Sequence, residues 1–273
     1  MDGKLGFIID ECLPDVKNCG HGRPGGIIEH SKSTKCRHTM INCAIFSQNS
    51  TGASMIQSIR NRITGEEFDY QALLDALQQY ARPRDKISDL LRRGDIIRVK
   101  KGIYIFGSAY ARRPYSREIL ANMLYGPSYV SLDYALHYHG LIPERAEAVT
   151  SMTCGRNRRF ATPVGLFIYR SVPLAGYAEG IDRMEIEGGR AFLMATREKA
   201  LADRIRDDRR SGVRSVGDMR RYLLESLRID PAGLAGMDPS RLDAIAVLYR
   251  SRRIRLAASV VRQPGGEERL PHE

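Results

Sequence analysis

Between Arg82 and Phe106 the sequence leaves the backbone little choice. Pro83 fits the first turn of a helix, where its missing N–H costs nothing. Ile87, Leu90 and Leu91 then fall on one helical stripe, and Gly94 ends it. Two short strands are expected over 95–99 and 102–106, joined by the tight turn Lys100-Lys101-Gly102. What precedes this helix is helical too. From Met55 to Ile63 the apolar side chains recur at helical spacing, which predicts a helix over 55–62. Phe68, Leu73, Leu74 and Leu77 make a second amphipathic stretch with Asp69 as its cap. Residues 55–106 are therefore expected as three helices and a hairpin.

The region 114–206 is mixed. Helices are expected over 115–124, stopped by Gly126-Pro127, and over 131–139, capped by Ser131 and closed by Gly140. Strand-like alternation occupies 148–153, 160–172 and 190–194, with Thr162-Pro163-Val164-Gly165 supplying a turn. Thr196 caps a helix over 197–206, with Glu198 in a first turn where the dipole favours an anion. Helical pieces are expected near 216–227, 240–249 and 252–261, and a polar tail follows Gln263. Residues 1–54 differ from all of this: they show no periodic segment and read as an unstructured extension or an over-long start, Met55 being a second possible start. They hold Cys12, Cys19, Cys36 and Cys43. A zinc site there is the sharper alternative, but structural zinc draws on ligand pairs closer together than these.

Composition adds a partner class. The 273 residues carry 43 Lys and Arg against 32 Asp and Glu, a formal charge of +11. Such a charge concentrates polyanions, and nucleic acid is the commonest. No apolar run is long enough to span a bilayer, and the first residues lack the layout of a signal peptide, so a cytoplasmic location is expected and no membrane partner. In a reducing compartment the five cysteines form no disulfide framework.

The charge is densest over Arg82–Lys101, where eight cations face three carboxylates. In a helix-turn-helix the second helix of the motif enters the major groove and its N-terminal side chains meet base edges. Arg84, Lys86 and Ser88 occupy that end as candidates to read bases, and Arg82, just before it, could read or clamp. Arg92 and Arg93 at the far end, Arg98 on the first strand, and Lys100 and Lys101 on the hairpin tip suit phosphates, where contacts fix position and do not read sequence. Catalytic motifs are missing: the sequence has no phosphate-binding loop ending in Gly-Lys-Ser/Thr, no His-Glu-x-x-His helix and no Gly-x-Ser-x-Gly elbow. His137 and His139 lie two apart on a helix and face different sides, Cys154 has no histidine near it, and the carboxylates interleave with arginine like surface pairs. No enzyme, cofactor or metal is therefore expected. The thirteen arginines from Arg204 to Arg255 could extend a nucleic-acid surface, receive an acidic partner, or simply be solvated.

The run Arg84-Asp85-Lys86-Ile87-Ser88-Asp89-Leu90-Leu91-Arg92-Arg93-Gly94-Asp95 and its continuation to Tyr104 resembles the winged-helix segment of AbiEi-type antitoxins. So does the block from Ser116 to Glu144, and Glu198-Lys199-Ala200-Leu201-Ala202-Asp203 looks like that family's Pro-Glu-Lys-Ala-Leu segment, with Arg197 where a proline is common. The likeness covers roughly residues 56–206. It implies a winged helix-turn-helix over 55–111 and a mixed α/β domain over 112–206; with the Arg-rich helical region expected over 207–273 from its own pattern, the fold is expected to be α+β. It further implies an antitoxin and autorepressor of a type IV toxin–antitoxin operon, binding its own promoter as double-stranded DNA. Its functional partner would be a nucleotidyltransferase toxin, countered through the second domain. The alternative is a winged-helix regulator whose middle domain senses a ligand or dimerises and has no toxin. Gly107-Ser108 is followed by Arg112, Arg113 and Arg117 and not by the paired acids a nucleotidyltransferase needs, so the chain is not itself the toxin.

Overall fold

A computed structural model describes residues 52–209 and 211–263 of the chain. The expectations for residues 1–51, including disorder and the zinc alternative on Cys12, Cys19, Cys36 and Cys43, lie outside the described residues. The fold is α+β, with helices around two sheets. Among the described residues no helix is long and apolar enough to cross a membrane.

The first part runs α1 (Gly52–Arg62), β1 (Glu67–Asp69), α2 (Tyr70–Ala76), α3 (Pro83–Arg93), β2 (Ile96–Lys100) and β3 (Ile103–Phe106). Asp69 caps α2 as expected, its carboxylate accepting from the Ala72 N–H at 2.8 Å. Gly94 ends α3 with φ 75°, and its N–H returns to the helix carbonyls. The chain then passes so close to this turn that a Cβ on Gly107 would lie 2.0 Å from the Gly94 carbonyl oxygen. β3 is the middle strand of a three-stranded antiparallel sheet, with β1 and β2 as its neighbours. β1 was not apparent in the sequence, because three residues give no period.

All four residues of β3 are buried, so both faces of this sheet are covered. Tyr104 and Phe106, with Ile96 and Phe68, pack against Ile56, Ile59, Leu73, Ile87 and Leu90 of the three helices. Ile103 and Ile105, with Val99, belong instead to the larger apolar cluster that holds Leu120, Leu124, Val149 and Phe167. Successive strand side chains point to opposite faces, and here each face has its own core. Residue 111 divides the sequence, but apolar packing crosses that division.

The larger part begins with α4 (Arg117–Leu124), β4 (Ser128–Val130) and α5 (Leu132–Tyr138). Strands β5 (Val149–Thr153), β6 (Arg158–Thr162), β7 (Gly165–Ser171), β8 (Ile181–Ile186) and β9 (Arg190–Ala195) follow. They form a six-stranded mixed sheet in the order β6-β7-β5-β4-β9-β8. β4 is antiparallel to β5 and parallel to β9, and β5 is parallel to β7. The C-terminal helices are α6 (Arg197–Asp207), α7 (Val216–Arg221), α8 (Pro231–Ala235), α9 (Pro239–Leu248) and α10 (Arg252–Arg262). α7 continues into a π turn over Tyr222–Ser226.

Candidate nucleic-acid interface

A helix turns 100° per residue, so residues four apart share a face and residues two apart do not. On α3 this sorts the expected readers. Arg84, Ser88 and Arg92 line one exposed stripe, with Arg82 exposed at the N-terminal cap position. Neither Arg82 nor Arg84 forms an ion pair among the described residues. Ser88 donates its hydroxyl hydrogen to the Arg84 carbonyl at 3.1 Å, so it faces outward as an acceptor. Asp85, exposed in the same turn, adds a second acceptor. A turn that mixes guanidinium donors with acceptors suits base edges better than a row of phosphates. Arg92 meets Asp89 at 2.7 Å in an open pair. Such surface pairs contribute about 0–1 kcal/mol, so Arg92 is released at little cost.

Lys86 does not join this stripe. It lies on the opposite side of α3, half-buried, with Nζ 5.9 Å from the centre of the Tyr80 ring. Arg93 shares that side and pairs with Asp95 at 2.6 Å. The structure thus separates Lys86 and Arg93 from Arg82, Arg84, Ser88 and Arg92.

The hairpin requires a correction. Lys101 is exposed at the turn, as expected, and Arg98 is exposed on β2. Lys100 is not free to meet a phosphate. A register shift between Arg98 and Lys100 turns its side chain inward. Its Nζ donates to the Leu124 carbonyl at 2.7 Å and lies 4.1 Å from the centre of the Phe160 ring. A cation so held has exchanged its hydration for a carbonyl and a ring face, and pulling it out for DNA would leave both without it. Lys100 ties the hairpin to the larger part.

Two buried ionic groups escaped the sequence, where their carboxylates resemble surface pairs. Arg60 is 1% exposed. Its guanidinium pairs with Glu66, donates to the carbonyls of Ile63 at 2.7 Å and Gly65 at 3.0 Å, and lies 4.3 Å from the centre of the Phe106 ring. Burial pushes its pKa down, and Glu66 opposes that shift. The neighbouring Glu67 accepts from Arg190 of β9 at 3.1 Å and from the Ser116 N–H, a second tie between the parts. The other group centres on Asp203 of α6. It accepts from Tyr129 at 3.0 Å, from Ser131 at 2.7 Å and from Tyr249. Lys199, one turn earlier, donates to the Gly176 carbonyl and lies 4.5 Å from the centre of the Tyr249 ring. Burial pushes the Asp203 carboxyl up and the Lys199 ammonium down, each partly offset by the other. Ser131 therefore does not cap α5 with its side chain, as the sequence suggested; its hydroxyl serves Asp203.

The arginine-rich C-terminal stretch is only partly engaged within the fold. Arg204 pairs with Asp133 at 2.7 Å, Arg228 with Glu144 at 2.6 Å and Arg221 with Asp218 at 2.9 Å. Arg253 donates to Ser211 at 2.9 Å, and Arg206 lies 5.3 Å from the centre of the Tyr249 ring. His139 binds the Ala195 carbonyl at 2.8 Å and Cys154 is half-buried. Among the described residues no cluster of three or more His, Cys, Asp or Glu side chains is placed to hold a metal ion.

No family model matches the sequence, and no curated protein matches it either. Among solved structures, the chain is similar to the RV2827C protein from Mycobacterium tuberculosis, with 17% identity and a TM-score of 0.45 over 81% of this chain and 84% of that one.

Proposed function

We propose that this chain is a DNA-binding repressor of winged helix-turn-helix type, acting as the antitoxin of a type IV toxin–antitoxin operon. In this reading α2 and α3 are the helix-turn-helix and β2–β3 is the wing. The observation that carries it is the exposed stripe of α3: Arg82 and Arg84 stand at its N-terminal end, in no ion pair among the described residues, ahead of Ser88 and Arg92. Arg84 at the groove-facing end reads a base, and Lys101 and Arg98 hold phosphates. The partner is double-stranded DNA, first of all the region upstream of the chain's own gene.

The antitoxin half of the proposal rests on the resemblance of residues 116–144 to AbiEi-type antitoxins. Much of that block is core: Leu120, Ala121, Leu124, Tyr129, Val130, Leu132, Ala135, Leu136 and Leu141 are buried. The likeness therefore lies in residues that set a fold, and the antitoxin role needs its own test. The DNA half is tested by titrating the full chain with its upstream duplex and with a scrambled duplex of the same length. Preference for the first supports repression, and equal binding or none refutes it. The second half is tested by co-expression with a neighbouring nucleotidyltransferase gene. Rescue of growth supports the antitoxin role; absence of such a gene, or of rescue, leaves a regulator without a toxin.

A further inference from the structure

The tie that removes Lys100 from the DNA surface brings another set of cations to it. Lys100 donates to the carbonyl of Leu124, and the next residue, Tyr125, anchors the loop between β5 and β6. The Arg156 N–H donates to the Tyr125 hydroxyl at 3.2 Å, and a Cβ on Gly155 would come within 2.5 Å of that oxygen, so only glycine lets the loop approach so closely. The ring under the Lys100 ammonium is Phe160 of β6. Side chains two apart on a strand share a face, about 7 Å from each other, so Arg158 lies on the Phe160 side of β6, next to the hairpin. Arg156 and Arg158 are exposed, and neither forms an ion pair among the described residues. β6 is an edge of the six-stranded sheet, so among the described residues no further strand pairs beyond it.

We propose that Arg156 and Arg158 bind the phosphate backbone of the duplex that α3 reads, so that the DNA surface continues from the hairpin turn onto the edge of the second sheet. This rests on the DNA-binding reading above. The partner follows from continuity with Lys101 and from chemistry: guanidiniums without ion-pair partners, one on the loop and one on the edge strand it leads into, match adjacent phosphates and carry no base specificity. The same two residues belong to the larger part of the chain, so DNA is held by both parts at once.

The test uses the full chain, the upstream duplex and the scrambled duplex, with affinities measured from ~50 to ~300 mM salt. The double variant Arg156→Ala/Arg158→Ala is compared with wild type, with Arg156→Lys/Arg158→Lys and with Arg255→Ala, another exposed arginine. Losing two phosphate contacts makes the slope of log affinity against log salt shallower by about 1.8 and weakens binding roughly ten- to thirtyfold at ~0.15 M salt, equally for both duplexes. The lysine variant keeps the wild-type slope, and so does Arg255→Ala. Wild-type binding with an unchanged slope in the alanine variant overturns the inference alone. So does a variant whose only defect is lost solubility, since charged side chains also protect sheet edges from association. Failure of wild type to bind either duplex overturns the inference together with the DNA-binding reading.

Discussion

A fragment of residues 55–111, which the sequence presents as a self-contained DNA-binding unit, will not fold on its own. Cutting at 111 strips one face of the three-stranded sheet. Val99, Ile103 and Ile105 are 5%, 8% and 1% exposed in the whole chain, packed in the larger core. Returning each to water costs roughly 1.5–3 kcal/mol, together about 5–9 kcal/mol. A whole domain is stable by about 5–15 kcal/mol, so the loss is of the same order as the fragment's entire stability. The cut also removes the Leu124 carbonyl from Lys100 and Arg190 from Glu67. The assay is a far-UV circular dichroism melt of the fragment beside the full chain. The expected result is no cooperative transition for the fragment. A second fragment carrying Val99→Thr, Ile103→Thr and Ile105→Thr separates causes, because a polar outer face relieves association without restoring lost packing. A cooperative melt of the unaltered fragment, close in midpoint to that of the full chain, would show that the fragment is held by its own core alone.

Three other outcomes follow from the same geometry. Asp203→Ala removes the buried acceptor of three hydroxyls and the counter-charge of Lys199; a loss of about 3–5 kcal/mol lowers the melting temperature by roughly 6–20 °C for a chain of this size, and a shift under a few degrees would contradict the network. Arg84→Ala costs on the order of 1–3 kcal/mol on the upstream duplex and relaxes sequence preference, whereas Lys101→Ala weakens all duplexes alike; identical behaviour of the two in competition titrations would undo the division into reader and clamp. Asp218, in a capping box with Ser215 at the start of α7, is held down to about 2 by the hydrogen bonds it accepts. A depressed carboxylate stabilises above its unfolded pKa and loses that contribution as pH falls through the folded value. The stability difference between wild type and Asp218→Asn is therefore full above about pH 4 and disappears toward pH 2, as read by denaturant melts across that range.

Local rules made much of the fold legible. Pro83, Gly94 and Asp69 placed α2 and α3 where they occur, and Thr196 caps α6 by accepting from the Lys199 N–H at 3.2 Å. These signals act within four residues, so a single sequence contains them. β1 and β4 were invisible because each has only three residues between or beside helices. The sheet order was invisible because alternation names a strand's faces but not its neighbours. The site divided along the same line. The exposed stripe of Arg84, Ser88 and Arg92 follows from helix period alone. The inward turn of Lys100 depends on Leu124 and Phe160, distant in sequence, and two lysines in a turn gave no hint that only Lys101 stays outside. Ser131 shows the limit most plainly: its position fitted a cap, and a carboxylate on α6 claimed its hydroxyl.

In the proposed reading, α3, the hairpin turn and the adjoining sheet edge form one DNA surface. Its most direct measurement is the salt dependence of the full chain's binding to its own upstream duplex. With about five cations on phosphates, the slope of log affinity against log salt is about −4 to −5, and the upstream duplex is preferred over the scrambled one at every salt concentration. Affinity that stays flat as salt rises would mean that these cations do not hold DNA, and an equal response from both duplexes that α3 does not read its sequence.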